Sequence, residues 1–156
     1  MIVVYVFLVI ALLLLAGLYV LYDMIFKKKN RGANGIVKKF LKYEKYKASI
    51  KDNINRINSL NYEKVRITSA DNHKLNAKYY EFKAGAPVAI FFHGYRSYAE
   101  CDGGFLFGIF RDYGCNVLLV EQRAHGESKV KSITFGVRES DDCVRWVNFI
   151  GSRCGA

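Results

Sequence analysis

Apolar and polar residues follow several distinct rhythms along this chain, and each predicts an element. Residues 2–22 run for 21 positions without a charge, long enough for a helix to cross the hydrocarbon core of a bilayer. Over residues 36–60 the apolar positions Ile36, Phe40, Tyr43, Ile50, Ile54 and Ile57 recur at helical spacing, with lysines on the other faces. That pattern predicts a basic amphipathic helix, with Gly32 and Gly35 ahead of it as a flexible joint. Its apolar stripe suits either the membrane interface or the surface of a domain. Alternation of period two takes over in residues 62–70 and 73–82. Val65 and Ile67 share one face, as do Leu75, Ala77 and Tyr79, while Lys64, Arg66, Asn76 and Lys78 point the other way. With Asp71-Asn72 as turn residues, this predicts a β-hairpin with one wet face, and a solvent-exposed His73.

The next stretch, Val88-Ala-Ile-Phe-Phe-His-Gly-Tyr95, carries five consecutive apolar residues without polar alternation. Such a run reads as a strand of a parallel sheet, buried on both faces. Pro87 stands where the strand begins. His93-Gly94 breaks it, and glycine lets the backbone turn sharply and approach a ligand. Residues 100–113 predict a helix with a stripe of Leu106, Ile109, Phe110 and Tyr113, weakened by Gly103, Gly104 and Gly108 and ended by Gly114. Residues 116–120 are a second buried strand. Strand, helix and strand within about 33 residues form a βαβ unit with parallel strands. A last helix is predicted over 135–150, with Val137, Val144, Val147 and Ile150 on one side, Thr134 as a cap and Gly151 just past the end.

Composition changes this picture mainly through charge. Between residues 23 and 83 there are 16 Lys/Arg against 6 Asp/Glu, whereas residues 84–156 carry 8 of each. The basic excess therefore sits beside the apolar N-terminal segment. A cleaved signal peptide fits that segment poorly, because it has no basic n-region, no small-x-small cleavage site and too long an apolar run. A transmembrane anchor over 1–26 is expected, followed by a basic juxtamembrane linker over 27–61 and a domain over 62–156. Lys27, Lys28, Lys29 and Arg31 directly after the apolar run place the C-terminal part in the cytoplasm under the positive-inside rule. The same cluster makes anionic membrane lipid the expected partner, and nucleic acid is not expected. Cys101, Cys115, Cys143 and Cys154 show no C-x-x-C pair and no metal-ligand spacing, so reduced thiols packed as small apolar residues are expected.

Phe92-His-Gly-Tyr-Arg-Ser97, Val120-Glu-Gln-Arg-Ala-His-Gly-Glu-Ser128 and Thr134-Phe-Gly136, in this order and at these separations, resemble the N-terminal half of an α/β-hydrolase. The resemblance covers roughly residues 62–150 and is strongest to membrane-anchored bacterial serine hydrolases of the esterase and peptidase type. Glu121 stands where that family usually has Asp, and Ala124 where it usually has Gly; neither change removes a catalytic group. The resemblance implies an α/β fold: a partial hydrolase sheet of a β-hairpin and a parallel βαβ unit. It also implies that the Tyr95 N–H is one donor of an oxyanion hole, shaped by His93 and Gly94. Arg123, His125 and Gly126 match structural loop positions of the family, as His93 does, rather than the triad histidine.

The family's nucleophile sits in a G-x-S-x-G elbow, and its acid and histidine follow later. No G-x-S-x-G occurs in the 156 residues. Ser97 and Ser128 have the wrong spacing, so no catalytic residue is assigned. One oxyanion donor cannot replace a missing nucleophile and base. The resemblance thus implies a hydrolase of esters, thioesters or amides truncated before its elbow and inactive as this chain, with no cofactor and no metal. A non-catalytic, membrane-bound interaction module on the same half-fold is the alternative.

Overall fold

The computed structural model describes residues 1–27 and 44–155. The predicted joint at Gly32 and Gly35, the positions Ile36, Phe40 and Tyr43, and the basic residues Lys28, Lys29 and Arg31 lie outside the described residues.

Helix α1, Ile2–Phe26, is 25 residues long and has no buried residue, with Asp23 and Phe26 partly covered near its end. At 1.5 Å per residue it spans roughly 37 Å, against about 30 Å for a hydrocarbon core. It is long and apolar enough to cross a membrane. Helix α2, Glu44–Asn58, follows. Its apolar positions Ile50, Ile54 and Ile57 are buried, the first two against Cys101 and Tyr98, the third beside Tyr80, Phe107 and Val117. Of the two environments open to this stripe, the structure shows it packed on the domain.

The strands are β1 (Glu63–Thr68), β2 (Lys74–Tyr80), β3 (Val88–Phe92) and β4 (Asn116–Glu121), in sheet order β1-β2-β4-β3. β1 and β2 form the expected antiparallel hairpin, with Val65 opposite Ala77 and Ile67 opposite Leu75. β3 and β4 are parallel neighbours joined through helix α3, Ala99–Asp112, which completes the expected βαβ unit. Helix α4, Glu139–Cys154, covers the other face.

Two layers of apolar packing hold this arrangement. Val65, Leu75, Ala77, Leu118 and Val120 pack on Trp146 and Ile150 of α4. On the opposite face Val117, Leu119 and Tyr80 meet Ile57 of α2 and Phe107 of α3. β4, in the middle, is buried at every apolar position, as its unbroken run requires.

β3 differs from expectation, being only partly buried at all five positions. It is the edge strand of the described sheet, so one side of its backbone and the flanks of its side chains have no neighbouring strand. The hairpin's second face is wet on β1, where Lys64 and Arg66 are exposed, but not on β2. Asn76 is buried and accepts a hydrogen bond from Arg66 Nε at 2.8 Å, and half-buried Lys78 forms an ion pair with Glu100 of α3 at 2.5 Å. β2 lies between β1 and β4 under two helices, a setting its alternating sequence does not reveal.

Both C-terminal helices present other faces to the sheet than the apolar stripes expected from their sequences. In α3, Leu106, Ile109 and Tyr113 are exposed, while Ala99, Gly103, Gly104 and Phe107 are buried. A Cβ on Gly103 would lie 3.1 Å from Leu119 and 3.2 Å from Phe91, and one on Gly104 would lie 3.1 Å from Asn53. The glycines that lower helix propensity are therefore what lets α3 sit this close to β4 and α2. In α4, Val144 and Val147 are exposed, as is Val137 ahead of it, and the inward stripe is Asp142, Trp146 and Ile150. This helix starts at Glu139 because Phe135 and Gly136 adopt φ of 49° and 99°. Thr134 Oγ1 accepts the Arg138 N–H at 3.0 Å, and the helix runs through Gly151 to end at Gly155, φ 71°.

Candidate functional site

Because β3 and β4 are parallel, the loops that leave them emerge together at the carboxyl edge of the sheet, where α/β proteins bind ligands. Phe92 pairs with Val120, so His93-Gly94-Tyr95 lies directly beside the loop that begins at Gln122. All six residues singled out from the sequence, His93, Gly94, Tyr95, Arg123, His125 and Gly126, belong to these two loops.

His93 is the pin between them. Its ring is buried and meets the His125 ring edge-on at 4.6 Å. Nε2 accepts the Gln122 N–H at 3.3 Å, which leaves Nδ1 protonated to donate to the Gly94 carbonyl at 2.9 Å. The Gln122 side-chain amide donates to the His93 carbonyl. Burial, together with neighbouring His125, pushes the His93 pKa down to about 4, so the ring is neutral at physiological pH.

Asp102 closes the turn after Gly94. Its Oδ2 accepts the Gly94 N–H at 2.7 Å and its Oδ1 accepts the Ser97 hydroxyl. Asp102 sits in the first turn of α3, where a carboxylate is favoured by the helix dipole. Ser97 N–H returns to the Gly94 carbonyl at 3.1 Å. Among the described residues no acceptor takes the Tyr95 N–H, while its side-chain hydroxyl donates to the Ile25 carbonyl at 2.9 Å. Sequence reading missed both Asp102 and Gln122. An acid near the start of a predicted helix was the available signal for the first; nothing in the spacing marks the second.

Arg123 organises the other loop from beneath. Its guanidinium, buried, donates to Asp142 of α4 through Nε at 2.7 Å and Nη2 at 3.0 Å, and to Asp71 of the hairpin turn at 3.2 and 3.3 Å. Asp71 also binds Ser69 and Arg138, and these donors, Arg123 first, hold its carboxyl well below the usual carboxylate range. Three segments distant in sequence are thereby tied to one cation. His125 lies above, with Nδ1 2.9 Å from the Arg123 carbonyl.

Two backbone positions in this loop lie in the left-handed region, Ala124 at φ 60° and Gly126 at φ 48°. A Cβ on Gly126 would fall 2.4 Å from the Glu121 carboxyl carbon. That carboxylate is half-buried and accepts the Glu127 N–H at 2.6 Å, and burial raises its pKa. Gly126→Ala is therefore expected to cost about 1–3 kcal/mol, from displacement of a held carboxylate and a strained backbone. Ala124→Gly should instead be neutral or stabilise by less than about 1 kcal/mol, as strain relief offsets added unfolded-state freedom. Denaturant unfolding of both variants checks the pair; equal and opposite small effects would show that the loop relaxes freely.

Ser128 and Ser97 are both engaged inside the structure. Ser128 is fully buried, its hydroxyl donating to the Glu121 carbonyl at 2.6 Å and accepting the Asn76 N–H at 3.0 Å. On the α2–α3 flank, a cleft of about 220 Å³ is lined by Lys78, Tyr98, Glu100 and Glu121, its cation already paired with Glu100. Among the described residues no group of three or more His, Cys, Asp or Glu side chains is placed to hold a metal ion. All four cysteines are free thiols, Cys101 buried and Cys154 exposed.

No protein-family model matches this chain, and no curated protein matches its sequence. Among solved structures it is similar to an esterase of Pyrococcus furiosus, Pf2001, in two crystal forms. Both show 31% sequence identity over 60% of this chain, with TM-scores of 0.53 and 0.54. DcsB, solved in complex with its substrate analogue, superposes with a TM-score of 0.54 at 19% identity over 59% of this chain. The present chain spans 36–38% of the esterase and 32% of DcsB. The fold of the matched part is α/β-hydrolase-like.

Proposed function

We propose that this chain carries the N-terminal part of a membrane-anchored serine hydrolase, whose reaction is hydrolysis of an ester, thioester or amide. The observation that carries this reading is the turn after β3. Asp102 takes the Gly94 N–H, His93 is locked neutral against the neighbouring loop, and the Tyr95 N–H is left for a ligand at the carboxyl edge. In that role it donates one hydrogen bond to the oxyanion of a tetrahedral intermediate, in a site where such donors count for most. The esterase likeness supports the reaction class. Nucleophile, acid and general base would all come from sequence outside these 156 residues.

As this chain alone, the protein should show no turnover of activated esters and no labelling by fluorophosphonate probes. Ser97 gives its hydroxyl proton to the Asp102 carboxylate, which is held by the Gly94 N–H, and Ser128 gives its proton to the Glu121 carbonyl. Stoichiometric labelling of either serine would overturn the proposal. The non-catalytic module stays in view because the described residues close two apolar layers by themselves, with Trp146, Tyr80 and Phe107 almost fully buried. Extending the reading frame distinguishes the two: a G-x-S-x-G strand-to-helix turn that restores labelling supports the hydrolase.

The anchor reading places α1 across the membrane and the domain in the cytoplasm, on the strength of the basic cluster at 27–31. Protease added to intact cells should leave residues 44–156 protected, and become effective only after permeabilisation. Ready cleavage from outside would reverse the orientation.

A further inference from the structure

The last turn of α1 ends against the candidate site itself. The Ile25 carbonyl accepts the Tyr95 hydroxyl, the Phe26 carbonyl accepts the Ile133 N–H at 2.9 Å, and Lys27 bridges to Ser132. Phe135 stands between the two partners, edge-on to Phe26 at 5.2 Å and tilted against Tyr95 at 5.2 Å. Yet Phe135 is 57% exposed, Tyr95 53% and Val137 76%. Phe135 also holds φ of 49° and Arg96 holds φ of 55°, left-handed conformations that bulky residues seldom adopt. Strained backbone thus holds an aromatic side chain out toward solvent at the very place where the apolar helix leaves the domain.

The charge beside this patch is mostly positive, and the carboxylates of Asp71 and half-buried Glu139 are engaged by internal donors. A groove of about 510 Å³ runs from it between the hairpin turn and residues 129–138, lined by Arg123, Lys129, Lys131 and Arg138 against the single carboxylate of Asp71. That carboxylate already serves Arg123 and Arg138, and Lys129 and Lys131 are exposed. Exposed aromatics rimmed by free cations, continuous with the end of a helix long enough to span a bilayer, match the chemistry of an anionic lipid surface.

We infer that the loop face of Tyr95, Phe135 and Val137 lies in the headgroup layer of an anionic bilayer, with Lys129 and Lys131 against lipid phosphates, so that the carboxyl-edge site opens onto the membrane surface. The inference rests on the anchor reading. It narrows the substrate class to amphiphiles that partition into the interface, because Tyr95 belongs both to this face and to the carboxyl-edge turn.

The full chain reconstituted in vesicles of brominated phosphatidylcholine with phosphatidylglycerol tests it. The only tryptophan, Trp146, is fully buried and provides a blank. Phe135→Trp and, independently, Val137→Trp should give emission that is quenched by the brominated lipid, and Leu12→Trp in α1 should be quenched as well. Lys129→Gln with Lys131→Gln should lower the equilibrium constant for engagement of the loop by roughly 30-fold, at about fivefold per surface cation, and reduce the quenching at residue 135. Quenching at Leu12→Trp with none at residues 135 and 137 would overturn the inference alone, and assign this face to a protein partner or to further chain. No quenching at Leu12→Trp would overturn the anchor reading and the inference with it. Unchanged quenching in the double lysine variant would refute the anionic-lipid contact.

Discussion

Replacing Arg123 by methionine is expected to destabilise the folded chain by about 3–5 kcal/mol, the range for breaking a buried ion pair from one side. The size follows from what is left behind. The Asp142 side chain is 8% exposed and would keep its charge without the two guanidinium donors that now hold it. Asp71 would lose its largest stabilising partner while retaining Arg138 and Ser69. The methionine stem fills comparable volume, so the loss is electrostatic rather than a cavity. Arg123→Lys should recover only part of it, because one ammonium cannot offer the fork that meets two carboxylates from different sides.

Asp142→Asn in the Arg123→Met background should restore a substantial part, giving a coupling energy of roughly 1–3 kcal/mol between the two sites. Urea unfolding of the four chains in the same detergent provides the measurement. Additive effects of Arg123→Met and Asp142→Asn, each under about 1 kcal/mol, would show that the clamp is dispensable.

The second large effect is a loss of stability on mild acidification that originates at His93. Its folded pKa of about 4 lies below the unfolded value of 6.5. The unfolded chain therefore binds the proton more readily, and stability rises with pH across this window. The contribution is complete above about pH 6.5, falls as pH drops, and is gone below about pH 4. Its full amplitude is about 3 kcal/mol at 1.36 kcal/mol per pH unit, for a ring that is almost wholly buried. Protonation would also strip Nε2 of its ability to accept the Gln122 N–H, so the two loops should separate as the ring charges.

Glu121 has the opposite sign, because its raised pKa favours the folded state as pH falls from neutrality. The diagnostic quantity is thus the difference between the parent chain and His93→Asn, which should narrow progressively between pH 6.5 and 4. Proton resonances of the His93 ring provide a direct check. A midpoint near 6.5 would mean that the ring is hydrated, and the pin between the loops would be lost with it.

Much of the site was legible because its residues are adjacent in sequence. His93, Gly94 and Tyr95 follow an apolar run that can only be a sheet strand, and Arg123, His125 and Gly126 follow another. A helix between them makes the strands parallel, so both loops reach the same edge. Asp102, Gln122, Asp71 and Asp142 were not legible. Their roles lie in contacts with residues elsewhere in the chain, and a carboxylate or amide in an unremarkable position carries no periodic signal. The burial of Asp142 illustrates the difficulty. On composition it belongs outside, and only the guanidinium of Arg123 makes an inward acid tolerable.

For α3 and α4, the sequence by itself determined that the helices exist but not which way they face, whereas the Ile50, Ile54 and Ile57 stripe of α2 is the face it buries. Residue spacing sets local hydrogen bonding, so α1, α3 and α4 were foreseeable within a few residues, apart from the first turn of α4, where Phe135 and Gly136 turn left-handed. Facing is decided by distance to the sheet. At α3 the approach is so close that Gly103 and Gly104 must point inward, which turns Leu106, Ile109 and Tyr113 out. The hairpin, the parallel pair and the central burial of β4 were written in alternation and unbroken apolar runs, since a strand's side-chain period is fixed at two. Whether β3 is a central strand or an edge was not, because the same five apolar residues suit both positions and only its neighbours distinguish them. The meeting of α1 with Tyr95 and Phe135 is likewise tertiary. Two segments some seventy residues or more apart in the chain come together there, and no local pattern in either encodes the other.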